Sequence, residues 1–339
     1  MSRPKPHQPK PIGRLLLDWY AGGHRDLPWR HTRDPYLIWV SEIMLQQTRA
    51  QAVIPYYHRF LERFPTVEAL AAAEEDAVLT MWSGLGYYSR ARNLRAAAQA
   101  IVAVGGFPRA YADIRALPGI GDYTAAAIGS IAFDLPHAVL DGNVLRVVSR
   151  VTNDAADIGS ACTRQRFREI AQQWLATDQP GHFNQALMEL GATVCLPRNP
   201  MCLVCPIAGE CTARSAGTAA QLPVKLRKTE PVQLAGTLLI IKDRRRIMLR
   251  RRAPSGRMAG FWELPTLDEL PHAKYLGRTF GEFRHTITHH HYTLKVIAAN
   301  AALPDDETYC WIAPSQFAAI PLTTVARKAL ALAEIVYKL

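Results

Sequence analysis

The amino-acid sequence predicts a protein of two parts, an all-α domain followed by a smaller α+β domain. Apolar residues recur at helical spacing as far as Cys211, and Pro, Gly and capping residues separate the runs. Four cysteines are clustered at the end of this part, and then the pattern changes to alternating and β-branched runs. The predicted boundaries are a disordered basic tail over residues 1–11, an all-α domain over 12–213, a linker over 214–231 and an α+β domain over 232–339.

Charge and composition narrow the class of partner. The 339 residues carry a formal net charge of +11, and 49% of them are hydrophobic. A chain of this length can bury two cores, and its positive charge suits a polyanion such as nucleic acid. No segment has the length or the amphipathic lysine pattern that a membrane requires, and no secretory signal is recognisable. Six cysteines, four of them clustered, favour a reducing compartment over a secreted disulfide scaffold.

Helices in the first domain are predicted from apolar runs and from the residues that begin and end them. Asp34 and Pro35, for example, suit the capping position and the first turn of a helix. Gly, Pro or Ser closes several of the others. In chain order, the predicted helices cover residues 12–20, 36–45, 51–64, 67–73, 75–82, 111–116, 123–133, 144–151, 163–176 and 185–193.

The stretch from Leu117 to Val151 organises this domain. It begins with the turn LPGIG, in which we expect Gly119 and Gly121 to adopt positive φ. The next helix then starts with outward-pointing amide N–H groups, which bind anions such as DNA phosphate. A second turn, containing Asp141, opens the following helix and places a carboxylate beside the bound backbone. Taken alone, the first turn also fits a joint between helices of any all-α domain.

Two further motifs carry candidate functional residues. Glu42 stands in SEIMLQQT on an almost entirely apolar helix, where it is either the polar stripe of a surface helix or a buried carboxylate. The segment SGLGYYSRARNLR combines two glycines, two tyrosines and three arginines. Tyrosine pairs are commonly core residues, but aromatic and basic residues interleaved beside glycines also suit base stacking and phosphate contact.

The clustered cysteines form a compact ligand set. Cys195, Cys202, Cys205 and Cys211 have the spacing C-x6-C-x2-C-x5-C. Tetrahedral thiolate sites hold either zinc or an iron–sulfur cluster, and the residues by themselves leave both open. Cys162 and Cys310 lie outside this set.

Together these motifs resemble the helix-hairpin-helix DNA glycosylases of the endonuclease III superfamily. The LPGIG turn, DYTAAAI and LDGNV carry this resemblance, and SEIMLQQT and GLGYY are similar to the adenine-specific, MutY-type branch. The helix-hairpin-helix motif then covers about 112–133. The cysteine spacing resembles the 4Fe-4S cluster loop of the family, here residues 195–211, so the resemblance favours this cluster over zinc.

The resemblance implies a role for each matching residue. Glu42 is the general acid and Asp141 the second catalytic residue, assisted by Tyr123, Asn143 and Glu189. Gln47 and Tyr87 act as wedges in the duplex. Arg25, Trp29, Arg30 and Leu45 contact the DNA or line the base pocket, and Gly119 and Gly121 approach the DNA backbone.

The sequence pattern of the C-terminal domain predicts strands followed by a terminal helix over 325–337. Its segment IMLRRRAPSGRMAGFWELPT resembles the start of a Nudix-type fold, but the glutamate-rich helix that such hydrolases need for magnesium is absent after Glu263. We therefore expect a Nudix-like domain that acts in recognition and not as a nucleotide hydrolase. In FRHTITHHHYTL, Thr288 and His289 match the Ser and His that contact 8-oxoguanine in MutY-type proteins, and Ile287 replaces the Phe.

The expected chemistry is hydrolysis of the bond between adenine and deoxyribose. Glu42, on its apolar helix, should have a raised pKa and protonate N7 of adenine. Asp141, beside amide donors, should remain ionised and stabilise the sugar cation. Lyase-competent relatives carry a Lys where this chain has Tyr123, and a phenol forms no imine, so we expect a monofunctional hydrolase.

Three other functions compete with this interpretation. They are an endonuclease III-like glycosylase and lyase for oxidised pyrimidines, a non-catalytic iron–sulfur protein that binds DNA, and an oxidised-nucleotide pyrophosphohydrolase. The lyase is disfavoured by Tyr123, and the non-catalytic protein by the presence of both carboxylates. The pyrophosphohydrolase is disfavoured because the acidic helix is missing. The expected partner is double-stranded DNA containing adenine opposite 8-oxoguanine or guanine. We expect a monomer in the bacterial cytoplasm, associated with the nucleoid when on DNA.

Overall fold

The computed structural model describes residues 11–226, 230–253, 255–256 and 258–335. The predicted tail lies outside these residues apart from Pro11, as does the end of the predicted C-terminal helix beyond residue 335. In the described part of the chain, no helix has the length and apolarity that a membrane span requires.

Thirteen α-helices are found in the described ranges. In chain order they are α1 Ile12–Ala21, α2 Pro35–Leu45, α3 Ala50–Arg63, α4 Val67–Ala71, α5 Glu75–Trp82, α6 Ser89–Ala103, α7 Tyr111–Ala116, α8 Asp122–Phe133, α9 Gly142–Val151, α10 Ala161–Trp174, α11 Pro180–Thr193, α12 Thr212–Ser215 and α13 Thr324–Leu332.

Six strands form one sheet in the C-terminal part. They are β1 Val232–Asp243, β2 Arg246–Arg251, β3 Trp262–Glu263, β4 Lys274–Ile287, β5 His290–Asn300 and β6 Tyr309–Ile312. The strand order is β3-β2-β1-β5-β4, and β6 pairs with β2. Only the pairing of β1 with β5 is parallel.

Contacts within the described residues divide the chain into two compact units. The first comprises Met1–Leu61 and Ala97–Lys228, and the second comprises Glu62–Ala96 and Thr229–Leu339. The boundaries fall within α3 and α6. This grouping differs from the predicted domains, because the helical segment 62–96 groups with the C-terminal sheet rather than with the other helices.

The first unit is helical, and α11 is its central element. This helix packs against α1, α8 and α9. Local signals explain why the helices begin where they do: the Asp34 carboxylate accepts the Tyr36 N–H at 2.8 Å, with Pro35 in the first turn of α2. Helix α8 ends at Asp134, whose φ of 54° lies in the left-handed region. The all-α prediction is therefore correct for this unit.

The second unit buries apolar side chains on both faces of its sheet. Successive β1 residues alternate between the faces: Leu238 and Ile240 pack with α13, while Leu239 and Ile241 pack with Met248 on the other side. Helix α13 ends at Leu332 rather than at the predicted residue 337.

The predicted linker over 214–231 contains local structure. Helix α12 extends into it, and a 3-10 turn covers Ala219–Gln221. Leu222 is buried, and its carbonyl accepts a hydrogen bond of 3.0 Å from Arg150 Nε. This contact with Arg150 of α9 joins residues far apart in the chain, so local sequence patterns do not show it.

Candidate active site

Glu42 and Asp141 line one cleft in the first unit. Glu42 comes from α2, and Asp141 immediately precedes α9. The cleft encloses about 2270 Å³ including its open side. Most of the predicted site residues of this unit line it too: Arg25, Arg30, Leu45, Gln47, Tyr123, Asn143 and Glu189.

Glu42 is a buried carboxyl group in contact with a tyrosine. Its residue is only 5% exposed, and the Tyr123 hydroxyl donates a hydrogen bond of 2.6 Å to its Oε2. Burial raises the pKa of Glu42 to about 7, the nearby charge of Asp141 adds to this, and the Tyr123 hydrogen bond opposes it. The expectation of a raised pKa is therefore confirmed, and Glu42 is partly protonated at neutral pH.

Tyr123 stays protonated in this setting. Burial and the charges of Glu42 and Asp141 raise its pKa well above the ordinary value of a tyrosine. The hydroxyl therefore acts as the donor towards Glu42, and it also lies 3.2 Å from the sulfur of Met188.

Asp141 caps the N-terminus of α9. Its Oδ1 accepts the Val144 N–H at 2.7 Å, and its Oδ2 accepts the Asn143 side-chain amide at 3.0 Å. Burial outweighs these donors, so the pKa of Asp141 is raised above its ordinary value. The direction alone leaves the expected ionised state of Asp141 a prediction. Desolvation depends on neighbouring helices rather than on the local capping motif, so the sequence does not show it.

The Glu189 carboxylate is paired with two arginine side chains. Arg25 donates through Nε and Nη2 at 2.8 and 2.7 Å, and Arg30 donates through Nη2 at 2.7 Å. Burial alone would raise the pKa of Glu189, but these hydrogen bonds lower it to about 2. Its predicted assistance to Glu42 is therefore indirect: Glu189 fixes Arg30, whose charge lowers the pKa of Glu42.

A smaller cavity shares Arg30, Glu42 and Met188 with the main cleft. Trp29 lines this cavity and not the main cleft, and it packs edge-to-face on Tyr57 at 5.5 Å between ring centroids. Gln185 and Met188 line it as well, and the sequence analysis missed both. Gln185 precedes Met188 by three residues and Glu189 by four, and this helical spacing is the signal that would have found them.

The glycine turn before α8 has only one glycine in the left-handed region. Gly119 has φ of +74°, as expected, whereas Gly121 has φ of −94° and caps α8 without a side-chain hydrogen bond. The prediction of positive φ is therefore wrong for Gly121. A Cβ atom at Gly121 would meet no atom within 4 Å, and Gly121 itself is exposed.

The four clustered cysteines line one cavity of about 390 Å³ whose other walls are mostly apolar. Arg150 lies beside it, with Nη1 at 3.3 Å from the Cys195 sulfur. Within the described ranges, no three His, Cys, Asp or Glu side chains converge as ligands of a single ion. Four thiolates around one cavity could hold either a zinc ion or an iron–sulfur cluster.

In the second unit, Tyr87 and Thr288 line a common cavity of about 1180 Å³. Tyr87 is 44% exposed and has φ of 49°. Thr288 and His289 form the two-residue turn between β4 and β5, and Thr288 has φ of 55°, which is unusual for a β-branched residue. His289 is absent from the lining of this cavity.

Two family models match this chain. The model of HhH-GPD superfamily base excision DNA repair proteins matches residues 40–175, and the NUDIX domain model matches residues 236–332. These matches confirm the predicted fold class, a helix-hairpin-helix domain followed by a Nudix-like domain.

Curated relatives are adenine DNA glycosylases. The protein of Buchnera aphidicola subsp. Acyrthosiphon pisum is 36% identical over 244 residues, which cover 71% of this chain and 69% of that protein. The Rattus norvegicus protein is 47% identical over 211 residues, covering 59% of this chain and 41% of its own length. The chain spans less than half of the plant and mammalian relatives, between 40% and 46% of their lengths.

Among solved structures, a thermostable thymine-DNA glycosylase is similar, with a TM-score of 0.54 and 29% identity over 60% of this chain and 95% of that chain. A trapped endonuclease III–DNA covalent intermediate shares the fold, with a TM-score of 0.52 and 19% identity over 61% of this chain and 95% of that chain.

Proposed function

Because this chain belongs to the adenine DNA glycosylase family, we propose that it hydrolyses the bond between adenine and deoxyribose where adenine lies opposite 8-oxoguanine or guanine in duplex DNA. One observation carries the proposal: a single cleft holds two buried carboxyl groups with different hydrogen-bond partners, Glu42 and Asp141. Two such groups suit an oxocarbenium-like transition state, which needs a proton on the leaving group and a negative charge near the sugar.

Glu42 is the proton donor in this mechanism. A pKa of about 7 leaves it partly protonated at neutral pH while keeping the proton acidic enough to transfer to N7 of adenine. Removing such a general acid typically lowers the rate about a hundred- to ten-thousand-fold. Tyr123 and Arg30 limit the rise in the Glu42 pKa, and Glu189 in turn holds Arg30 in place.

Asp141 carries the negative charge. The pKa values of both carboxyl groups are raised by burial, but their partners differ. Asp141 accepts hydrogen bonds from a backbone amide and from Asn143, which favour its ionised form, whereas within the described residues Glu42 accepts one from the Tyr123 hydroxyl. When the pair shares one proton, that proton therefore belongs on Glu42 and the charge on Asp141 faces the sugar.

The substrate adenine must leave the base stack to reach Glu42. We assign the extruded base to the small cavity beside Glu42, lined by Trp29, Arg30, Gln185 and Met188, with Leu45 at the edge of the main cleft. Flipping costs a few kcal/mol. Gln47, exposed in the loop after α2, is assigned as a wedge that fills the space left in the duplex.

DNA backbone contacts are assigned to the turn before α8. Its amide groups lie at the start of a twelve-residue helix that begins beside the exposed Gly121, which suits a phosphate. Gly119 supplies the left-handed backbone that the turn requires.

Tyr123 decides the reaction type. It occupies the position at which lyase-competent relatives carry a lysine, and a phenol forms no Schiff base with the sugar. We therefore propose hydrolysis without strand cleavage. This argues against an endonuclease III-like lyase for oxidised pyrimidines.

The resident cofactor that these residues fit is a 4Fe-4S cluster. Cys195, Cys202, Cys205 and Cys211 would hold it in the apolar cavity that they share. The bound cluster supplies structural or redox-tuning chemistry rather than hydrolysis. Around it, the chain itself provides Arg146, which donates to the Cys195 carbonyl at 2.8 Å and to Asn143 Oδ1 at 2.8 Å.

Recognition of the opposite base is assigned to the second unit. Thr288, in the turn between β4 and β5, offers a hydroxyl to 8-oxoguanine, and His289 is its partner in the turn. Tyr87 lines the same cavity as Thr288 and acts as the second wedge.

A gel assay tests the whole proposal. A labelled duplex with adenine opposite 8-oxoguanine is incubated with the protein, with and without hot alkali. We expect cleavage at adenine only after alkali, and its loss in Glu42→Gln but not in Glu62→Gln, a change on an exposed residue of α3. A protein that leaves this duplex intact but nicks one containing an oxidised pyrimidine would instead be the lyase.

A further inference from the structure

The helical segment 62–96 is packed directly on the C-terminal domain within the second unit. The ring of Tyr88 lies on the ring of Phe261, with centroids 4.0 Å apart, and both side chains are buried. The Ser83 hydroxyl donates to the Leu322 carbonyl at 3.1 Å, also out of solvent. These contacts join residues that are up to 239 positions apart in the chain.

Two arginines extend this contact to the surface. Arg251 of β2 donates through Nη2 to both carboxylate oxygens of Asp76 on α5, at 2.9 and 2.8 Å. Arg92 of α6 binds Glu75 at 2.7 Å and also donates to the Ala259 carbonyl. The packing between the helical segment and the sheet domain is therefore both apolar and charged.

Hydrogen bonds made by residues next to Tyr87 connect this packing to Tyr87. The Tyr88 hydroxyl accepts the Gly84 N–H at 3.3 Å, and the Trp82 indole donates to the Gly86 carbonyl at 3.3 Å. Tyr87, whose φ is in the left-handed region, therefore lies in a loop between Ser83 and Tyr88, which both contact the C-terminal domain. Tyr87 and Thr288 line the same cavity.

We propose that the C-terminal domain positions Tyr87, so that this wedge and the reading turn at Thr288 act as one rigid recognition element, with the Asp76–Arg251 pair as a specificity-determining contact. The inference rests on the proposed function, since it concerns the preference for 8-oxoguanine over guanine. Asp76 and Arg251 are positioning residues: neither lines the cavity shared by Tyr87 and Thr288.

The ion pair is the suitable place to test this coupling. Both side chains are more than 40% exposed, so the pair contributes little to folding, and charge reversal should disturb the alignment without unfolding the protein. A matched control exists on the same domain: Asp243 pairs with Arg246 between β1 and β2, at similar exposure and without contact to the helical segment.

The experiment compares adenine excision and binding on duplexes with adenine opposite 8-oxoguanine and opposite guanine. We expect Asp76→Arg to lower the preference for 8-oxoguanine about threefold to fivefold, a size typical of exposed charge pairs, and the double variant Asp76→Arg/Arg251→Asp to recover it. Asp243→Arg should keep the wild-type preference. Asp76→Asn, which keeps the side-chain size, should show a smaller loss if Asp76→Arg proves unstable.

The possible failures are distinguishable. An unchanged preference in folded Asp76→Arg, or a double variant that recovers nothing, overturns the positioning role alone. A loss in Asp243→Arg equal to that in Asp76→Arg overturns it too, because the effect would then follow from charge rather than position. A wild-type protein that removes adenine from neither duplex overturns the proposed function itself.

Discussion

The hydroxyl of Tyr123 lies 2.6 Å from Oε2 of Glu42, although the two residues are 81 positions apart in the chain. Tyr123 is held at the start of α8 by the glycine turn, and Glu42 is held near the end of α2. The phenol remains protonated and therefore donates, which makes it a partner that stabilises the ionised form of Glu42. This one contact links the turn that we assign to DNA backbone binding with the proposed acid.

The Tyr123 hydroxyl should set the pH range of excision. Glu42 donates when protonated, so the rate should fall as pH rises through about 7. Tyr123→Phe removes the hydrogen bond that lowers the Glu42 pKa, so the falling limb should move to higher pH. Single-turnover excision between pH 5 and 9, with Tyr56→Phe as a control outside the cleft, measures this shift; coincident curves would contradict it.

Replacing Glu42 should make the protein more stable at alkaline pH. Its folded pKa lies above the unfolded value of 4.5, so the stability that the proton provides is complete below 4.5 and is lost as pH rises to about 7. The neutral amide of Glu42→Gln escapes this loss, which is about 3 kcal/mol at most. Urea unfolding at pH 5 and pH 8 should show a gain only at the higher value. A gain of the same size at both values would mean that the pKa of Glu42 does not change on folding, which would contradict its rise on burial.

A lysine at position 123 should introduce strand cleavage. In Tyr123→Lys the amine would stand in the cleft with Glu42 and Asp141, where it can attack the sugar and form a Schiff base. Borohydride should then trap a covalent complex between the variant and duplex DNA, whereas the wild type gives none. The absence of any trapped complex, with DNA binding retained, would show that the side chain at this position does not reach the sugar.

Iron rather than zinc should accompany the purified protein. Metal analysis and visible absorption identify a 4Fe-4S cluster, and Cys202→Ser should lose iron because it removes one of four ligands. Cys162→Ser is the matched control, since Cys162 is an exposed residue outside the set. Stoichiometric zinc without visible absorption would favour the alternative that the cysteine spacing alone left open.

The hydroxyl of Thr288 should contribute to the preference for 8-oxoguanine. Thr288→Ala removes it, and losing one hydrogen bond corresponds to about threefold to tenfold in affinity. Thr288→Ser keeps the hydroxyl and should keep the preference. Binding to duplexes with 8-oxoguanine or guanine opposite adenine distinguishes the two variants, and equal losses in both would assign the effect to the strained turn rather than to the hydroxyl.

Removing the whole C-terminal domain near Leu222 is a less informative test than these point variants. Such a truncation also strips Phe261 from Tyr88 and Leu322 from Ser83. Any change in specificity would then combine loss of the reading turn with displacement of Tyr87.

Much of the fold and several site residues follow from local patterns. Proline, glycine and capping residues delimit the helices, and the spacing of the LPGIG turn, Asp141 and the four cysteines is visible without coordinates. The absence of an acidic helix after Glu263 is equally a property of the sequence, and the structure has turns rather than a helix between β3 and β4.

The amino-acid pattern thus establishes which residues are present and how they are spaced along the chain. Their solvation and pairing follow from the folded arrangement: burial raises the pKa of Asp141, Glu189 binds Arg25 and Arg30, and the segment carrying Tyr87 packs on the C-terminal domain. Desolvation and ion pairing depend on side chains from distant parts of the chain, whereas helix caps and turns depend on near neighbours.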